Sequence, residues 1–329
     1  MSEIQAGNKG FANLGNTCYM NSALQCLSHL LTFHPLNERF HAEAEVSKDS
    51  LFRAWYEFQR EAWSNEPKMI NPVKLLQAFQ RGCSEHNLYF ENFQQNDADE
   101  FLTLFLDLMH RGIKRPVKFS LLKPTQNKYI NRAYDVWDKF YKDDYSYIVQ
   151  HFHSQGFALT SCPQCNYATS NHDPFQVISL EIPKKAGTLE ECFREHTKLH
   201  CLDGDNMWRC DACHQKVSSQ KRNLFWKTSD ILIVLLKRYR GGRKITREIA
   251  YKPLLDMKPY TMNYTKQSTK YALQSVSVHE GSLGGGHYYA YCINHLDGEW
   301  RKYNDTHVSK VGVEEVLGSR PYLLFYKRV

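Results

Sequence analysis

The sequence predicts an α+β protein with a helical first half and a strand-rich remainder. Two patterns carry this expectation. Up to about residue 145, apolar residues recur at spacings of three and four, as on one face of a helix. From residue 146 they alternate or form short β-branched and aromatic runs. A third observation is the lack of any internal repeat or Pro/Gly/Ser-rich linker. Together these predict one continuous domain over residues 1–329, with helices and strands segregated along the chain.

The first helix is expected just after Asn16 and Thr17, two residues suited to capping. Beyond them Met20, Ala23, Leu24, Leu27 and Leu31 make a buried stripe. KDSLFRAWYEFQREAW (48–63) reads as an amphipathic helix with Leu51, Phe52, Trp55 and Phe58 inward. NPVKLLQAFQRGC opens at Asn71, and Pro72 suits a first helical position. FQQNDADEFLTLFLDLMH (93–110) carries a stripe of Leu102, Phe105, Leu106 and Met109. A loop and then a helix near NRAYDVWDKFY follow. YIVQHF, GFALTS and FQVISLEI read as strands, TLEECFREHTKLH as a helix, and SDILIVLLKRY as a central strand buried on both faces. YALQSVSVHE, HYYAYCIN, EWRKYN and YLLFYKR complete the sheet.

Composition narrows the function. The first residues are polar and no apolar run reaches eighteen residues. An intracellular protein, cytoplasmic or nuclear and free of membrane, is therefore expected. The formal charge is +7, yet the basic residues are scattered. The densest group, Lys237, Arg238, Arg240, Arg243, Lys244 and Arg247, reads as a strand end and turn, which argues against nucleic acid as a partner. Four of the ten cysteines form two Cys-x-x-Cys pairs, Cys162/Cys165 and Cys210/Cys213. Four thiolates in two pairs suit one structural Zn2+ in a reducing compartment, where disulfides are rare. Unliganded cysteines or a redox pair are the alternatives. His196 and His200, one helical turn apart, lack a third ligand pattern and read as surface helix residues. No signature of an organic cofactor occurs.

Cys18 is predicted in the first turn of its helix. There, orphan N–H groups and the helix dipole favour a thiolate. It is either a nucleophile or a small buried hydrophobe. Gly10 and Gly15 bracket FANL and allow a tight turn, and Asn13 is placed to aim an amide at a developing oxyanion. His287 follows three glycines and opens a strand, which makes it the candidate base for Cys18. Asn304 or Asp305, on a neighbouring strand, is placed to orient that imidazole. Asp97, Asp99 and Glu100 crowd a helix start. They are either ordinary helix-start acids or an acidic patch for a basic peptide.

These residues together resemble the ubiquitin-specific proteases. GNTCYMNS resembles the family's cysteine box and QNDADEFL its glutamine–aspartate box. CPQC and CDAC, with GDNMWRC, resemble its zinc site. GGGHYYAY with WRKYND resembles its histidine box, and LLKRY a palm strand. The resemblance spans about residues 8–328. It implies a papain-like cysteine peptidase fold with a helical thumb (1–145), zinc-tipped β fingers with part of the palm (146–235) and a β-sheet palm (236–329). It implies a deubiquitinating hydrolase with Cys18 as nucleophile, His287 as base, Asn304 as third member, Asp305 beside it and Asn13 at the oxyanion hole. Asp97 and Glu100 would meet the arginines of the ubiquitin tail. Gly285, Gly286 and Tyr288 would line a channel that admits only glycine. Ubiquitin and ubiquitinated proteins would be the partners of a monomeric catalytic domain. A peptidase for another ubiquitin-like modifier, or a non-catalytic ubiquitin-binding scaffold, is the alternative. Departures from the pattern are Asp99 where glutamine is common, Glu280 for serine, His200 for an acid and Tyr303 for phenylalanine.

Overall fold

The computed structural model describes residues 5–66, 68–90, 96–119, 124–262, 264, 267–282 and 285–329. A layer of helices packs on one face of an eight-stranded sheet. At its centre runs the helix Cys18–Ser28, every residue of which is buried. It lies between the helix Ala98–Ile113 and the strands Lys270–Ser282 and Gly285–Ile293. Ser22 Oγ meets Ser277 Oγ at 2.7 Å, and Ser275 Oγ donates to the Cys26 carbonyl, so a few satisfied hydroxyls fix the seam. Around this helix pack Ser50–Ala62 and Val73–Glu85, through Phe52, Trp55, Phe79, Phe101 and Phe105.

The sheet runs His307–Lys310, Trp300–Asn304, Gly285–Ile293, Lys270–Ser282, Pro321–Arg328, Ile231–Lys237, Val177–Glu181, with Leu254–Asp256 beside Lys270–Ser282. Only the last pair in that order, Val177–Glu181 with Ile231–Lys237, is parallel. Ile231, Ile233 and Leu235 face the helical layer, while Leu232, Val234 and Leu236 face a second core completed by the helix Leu189–Thr197. Burial on both faces is why ILIVLL shows no alternation. A second sheet, built on Ser154–Ser161 and Ser219–Lys227, extends from the first, and a two-stranded ribbon, Trp208–Arg209 with Lys216–Val217, forms beyond it.

Most expected elements occur at their expected places. There are two exceptions. TLEECFREHTKLH is helical only to Thr197, and His200 lies on the strand Leu199–Leu202, not one helical turn from His196, because the chain there pairs with Ser219–Lys227. YIVQHF forms the short helix Tyr147–Phe152, not a strand. Ser146 Oγ accepts the Val149 N–H, and that cap with burial of Ile148, Val149 and Phe152 overrides β propensity. Pro72 precedes its helix as the N-cap residue, while Asn71 Oδ1 accepts the Val73 N–H. The helix Glu38–Val46 had no clear sequence signal. The basic cluster around residue 240 is, as expected, a strand end and a tight hairpin, Tyr239–Arg240 with Arg243–Lys244, turned by Gly241 and Gly242 at φ +56° and +73°.

Candidate active site

Cys18 is the first residue of its helix, but the helix start is held differently from the expectation. Thr17 is the N-cap residue without a side-chain cap, and Asn16 lies outside the helix at φ +55°. Asn13 organises the turn instead: its Oδ1 accepts the N–H groups of Gly15 and Thr17, both at 3.0 Å. Its Nδ2 donates to Asp305 Oδ2 at 2.9 Å. From the helix, Asn21 Nδ2 donates to the other oxygen of the same carboxylate at 2.7 Å. A Cβ at Gly10 would overlap the Thr306 backbone, so this glycine serves the contact with the 305–306 turn.

Burial pushes the Cys18 thiol above its ordinary value, and the Asp305 charge adds to this. The N–H groups of Tyr288 and Tyr19 hydrogen-bond the sulfur and oppose the shift without cancelling it. Burial thus works against the thiolate that the helix start was expected to favour. The helix Cys18–Ser28 packs on the strand Gly285–Ile293, and Cys18 borders one cleft with Tyr288 beside His287.

His287 and Asn304 stand on strands that pair side by side. His287 Nε2 lies 2.5 Å from Asn304 Oδ1. An amide oxygen only accepts, so Nε2 carries the proton and the Nδ1 lone pair is left to take one. This separates the two alternatives: Asn304 reaches the imidazole, whereas Asp305, at φ +48°, reaches the amides of Asn13 and Asn21.

Cys18 opens on a cleft of about 290 Å³, with Asp97, Glu100, Gly286 and Tyr288 in its walls. Asp97 and Glu100 are exposed there, and Tyr288 OH donates to Asp97 Oδ1 at 3.1 Å. Asp99 turns inward, accepts a hydrogen bond from Tyr322 OH, and has its carboxyl raised by burial. Gly285 pairs with Ser282 at the end of the hairpin, outside those walls. A Cβ at Gly286 would lie 2.2 Å from His279 Nε2. The space a side chain would take at that glycine thus belongs to an imidazole of this chain, while Gly286 itself stays in the cleft wall. Gln95 and Gly284, in two of the quoted motifs, lie outside the described residues.

Sequence reading missed Asn21, Tyr239 and His279. Asn21 was lost in an apolar helix stripe. Tyr239 and His279 also border the cleft, yet they reach it from separate segments. Tyr303, a departure from the family pattern, has a use: its hydroxyl donates to the Gly7 carbonyl at 2.8 Å, beside buried His29.

The four paired cysteines converge. Their sulfurs all lie within 4.8 Å of one another, with Cys162–Cys213 at 3.9 Å and Cys165–Cys210 at 3.6 Å. The two pairs are folded alike. In each, the first cysteine's N–H bonds a carbonyl five residues on, Tyr167 or Gln215. The residue after the second cysteine, Asn166 or His214, is left-handed at φ +59° or +57°.

A family model described as ubiquitin carboxyl-terminal hydrolase matches residues 9–326. Human ubiquitin carboxyl-terminal hydrolase 2 is 31% identical over 99% of this chain and 56% of its own length. Drosophila melanogaster ubiquitin carboxyl-terminal hydrolase Usp2 is 30% identical over 99% of this chain and 35% of its own. The chain thus spans from about a third to somewhat over half of these relatives. Among solved structures, the SAGA Ubp8/Sgf11/Sus1/Sgf73 DUB module bound to ubiquitin aldehyde superposes with a TM-score of 0.78 at 25% identity, over 100% of this chain and 71% of that one. The chain belongs to the ubiquitin carboxyl-terminal hydrolase family, as a ubiquitin-specific protease.

Proposed function

We propose that this chain is a thiol-dependent deubiquitinase that cleaves the peptide or isopeptide bond after the C-terminal Gly-Gly of ubiquitin. One observation carries the reading. Cys18 and Tyr288 border one cleft, and Tyr288 is next in sequence to an imidazole already oriented by Asn304. In the reaction, His287 Nδ1 takes the Cys18 proton as the sulfur attacks the last glycine carbonyl. Asn13, held by Asp305, has a second amide N–H to offer the developing oxyanion. The tetrahedral species collapses to a thioester, and the lysine amine leaves with the proton from His287. Water then attacks the thioester with His287 as base, which frees the glycine carboxylate and restores Cys18.

Asp97 and Glu100 give the cleft an acidic wall suited to a basic tail. Each charge-assisted bond to a tail arginine is worth on the order of 1–3 kcal/mol when desolvated. Ubiquitin is the favoured modifier: a solved relative of the same fold is described with ubiquitin aldehyde bound. The reading extends to an intracellular enzyme acting as a monomer. Among the described residues no helix is long and apolar enough to cross a membrane.

The four cysteines fit a structural zinc ion. A tetrahedral ion with Zn–S near 2.3 Å holds its sulfurs about 3.8 Å apart, close to the distances found. With no fifth ligand in the set, the ion would brace the tip of the second sheet and take no part in catalysis.

Hydrolysis of a ubiquitin C-terminal fluorophore amide tests the activity. Turnover is expected from the native chain and not from Cys18→Ser. Turnover of the same amide on another modifier, with none on ubiquitin, would transfer the activity to that modifier. No turnover of either by folded protein would leave the scaffold alternative.

A further inference from the structure

Lys244 ends the short hairpin Tyr239–Arg240/Arg243–Lys244, and its ammonium reaches the strand Lys270–Ser282 at His279 and Gly281. Its ammonium has three N–H donors, and all three are used. They go to His279 Nδ1 at 2.8 Å, the His279 carbonyl at 3.0 Å and the Gly281 carbonyl at 2.9 Å. An ammonium has no lone pair, so His279 Nδ1 must accept and Nε2 must carry the ring proton. That Nε2 is the atom seated over Gly286. Tyr239 OH, at 2.5 Å from the same Nδ1, donates to the same single lone pair, which it shares with Lys244, and so ties the other hairpin strand to the ring.

The clamped segment is the rim of the cleft. In the register of its two strands, His279 pairs with Tyr288, Glu280 with His287 and Gly281 with Gly286. Tyr288, Gly286 and His279 all border the space into which Cys18 opens. Two glycines in this rim, Gly281 at φ +113° and Gly286, leave the backbone little intrinsic stiffness. The ladder itself and contacts from outside the strand pair share the task of holding it.

We propose that Lys244 is a positioning residue, whose three-point clamp holds the cleft rim in the shape that receives the modifier tail. This inference rests on the hydrolase reading above. A clamp of this kind acts by removing rim disorder before binding, so its loss appears in substrate affinity and leaves the chemistry at Cys18 and His287 in place. Loss of folded protein has the opposite signature, a smaller kcat at unchanged KM.

The test compares the native chain with Lys244→Met, which removes all donors, and Lys244→Gln, which keeps two. Steady-state turnover of the ubiquitin fluorophore amide is expected to show KM raised about 5–10-fold in Lys244→Met with kcat within about 2-fold, and an intermediate KM in Lys244→Gln. An unchanged KM, or a lower kcat alone, overturns the proposal. Hydrogen exchange on the free protein judges the clamp without activity. Peptides covering residues 279–288 are expected to exchange about tenfold faster in either variant that folds, and unchanged exchange overturns it. A native chain that turns over no ubiquitin substrate defeats the hydrolase reading, while the exchange arm still decides the clamp.

Discussion

Asn304 and Asp305 are adjacent in the chain and serve different partners. The left-handed turn at Asp305 sends its carboxylate to Asn13 and Asn21, and leaves the Asn304 amide beside His287. Asn304→Ala is expected to lower kcat about 10²-fold at nearly constant melting temperature, because it frees the imidazole tautomer and little else. Steady-state kinetics with a thermal melt checks this; equal kcat would remove Asn304 from the site. At Cys18 the thiol is raised, so alkylation by iodoacetamide in the free protein is expected to keep climbing as pH passes 9. A rate that levels off below pH 7 would mean a resting thiolate. Cys18, His287, Asn304 and Asn13 were legible in the sequence because their neighbours form short motifs. Asn21, His279 and Lys244 were not, since what defines them is contact across the fold, as with Asn21 and Asp305, 284 positions apart in the chain.

Among elements, strongly periodic helices and the long apolar strand read correctly because burial fixes their period. Tyr147–Phe152 did not: six residues are too few to show a helical period, and Val149 with its aromatic neighbours mimics a strand. The cysteine pairs were legible from spacing, but their matched left-handed residues, Asn166 and His214, needed the backbone. The ribbon between Trp208 and Val217 has little core of its own beyond Cys162, Cys210 and Val217. Its order is expected to depend on metal. Elemental analysis is expected to find about one zinc per chain, and a strong chelator is expected to open the second sheet's tip to proteolysis first. Folded protein without zinc, or a tip indifferent to the chelator, would remove the assignment.

For the whole molecule, several histidines are held neutral by burial: His29, His153, His172 and His279 titrate only near 4, and His295 near 3. Unfolding lets each return toward its ordinary value of 6.5 and take up a proton. Stability from this source is complete above pH 6.5 and is lost as pH falls toward 4. Asp230 and Asp297, held low by His151 and Arg301 respectively, change in the same direction at lower pH. The melting temperature is therefore expected to fall steadily from pH 7 to pH 5, and a flat profile would contradict burial of these rings. The α+β layering was legible from the switch of period near residue 146. The way the second sheet springs from the first was not, because it depends on pairings between strands far apart in the chain.

We propose that Cys18 borders the cleft that receives a ubiquitin tail. The most direct test is ubiquitin carrying a C-terminal electrophile, followed by intact-mass and peptide mapping. A single covalent adduct on Cys18, absent in Cys18→Ser, is expected. An adduct on another cysteine, or none on folded protein, would contradict it.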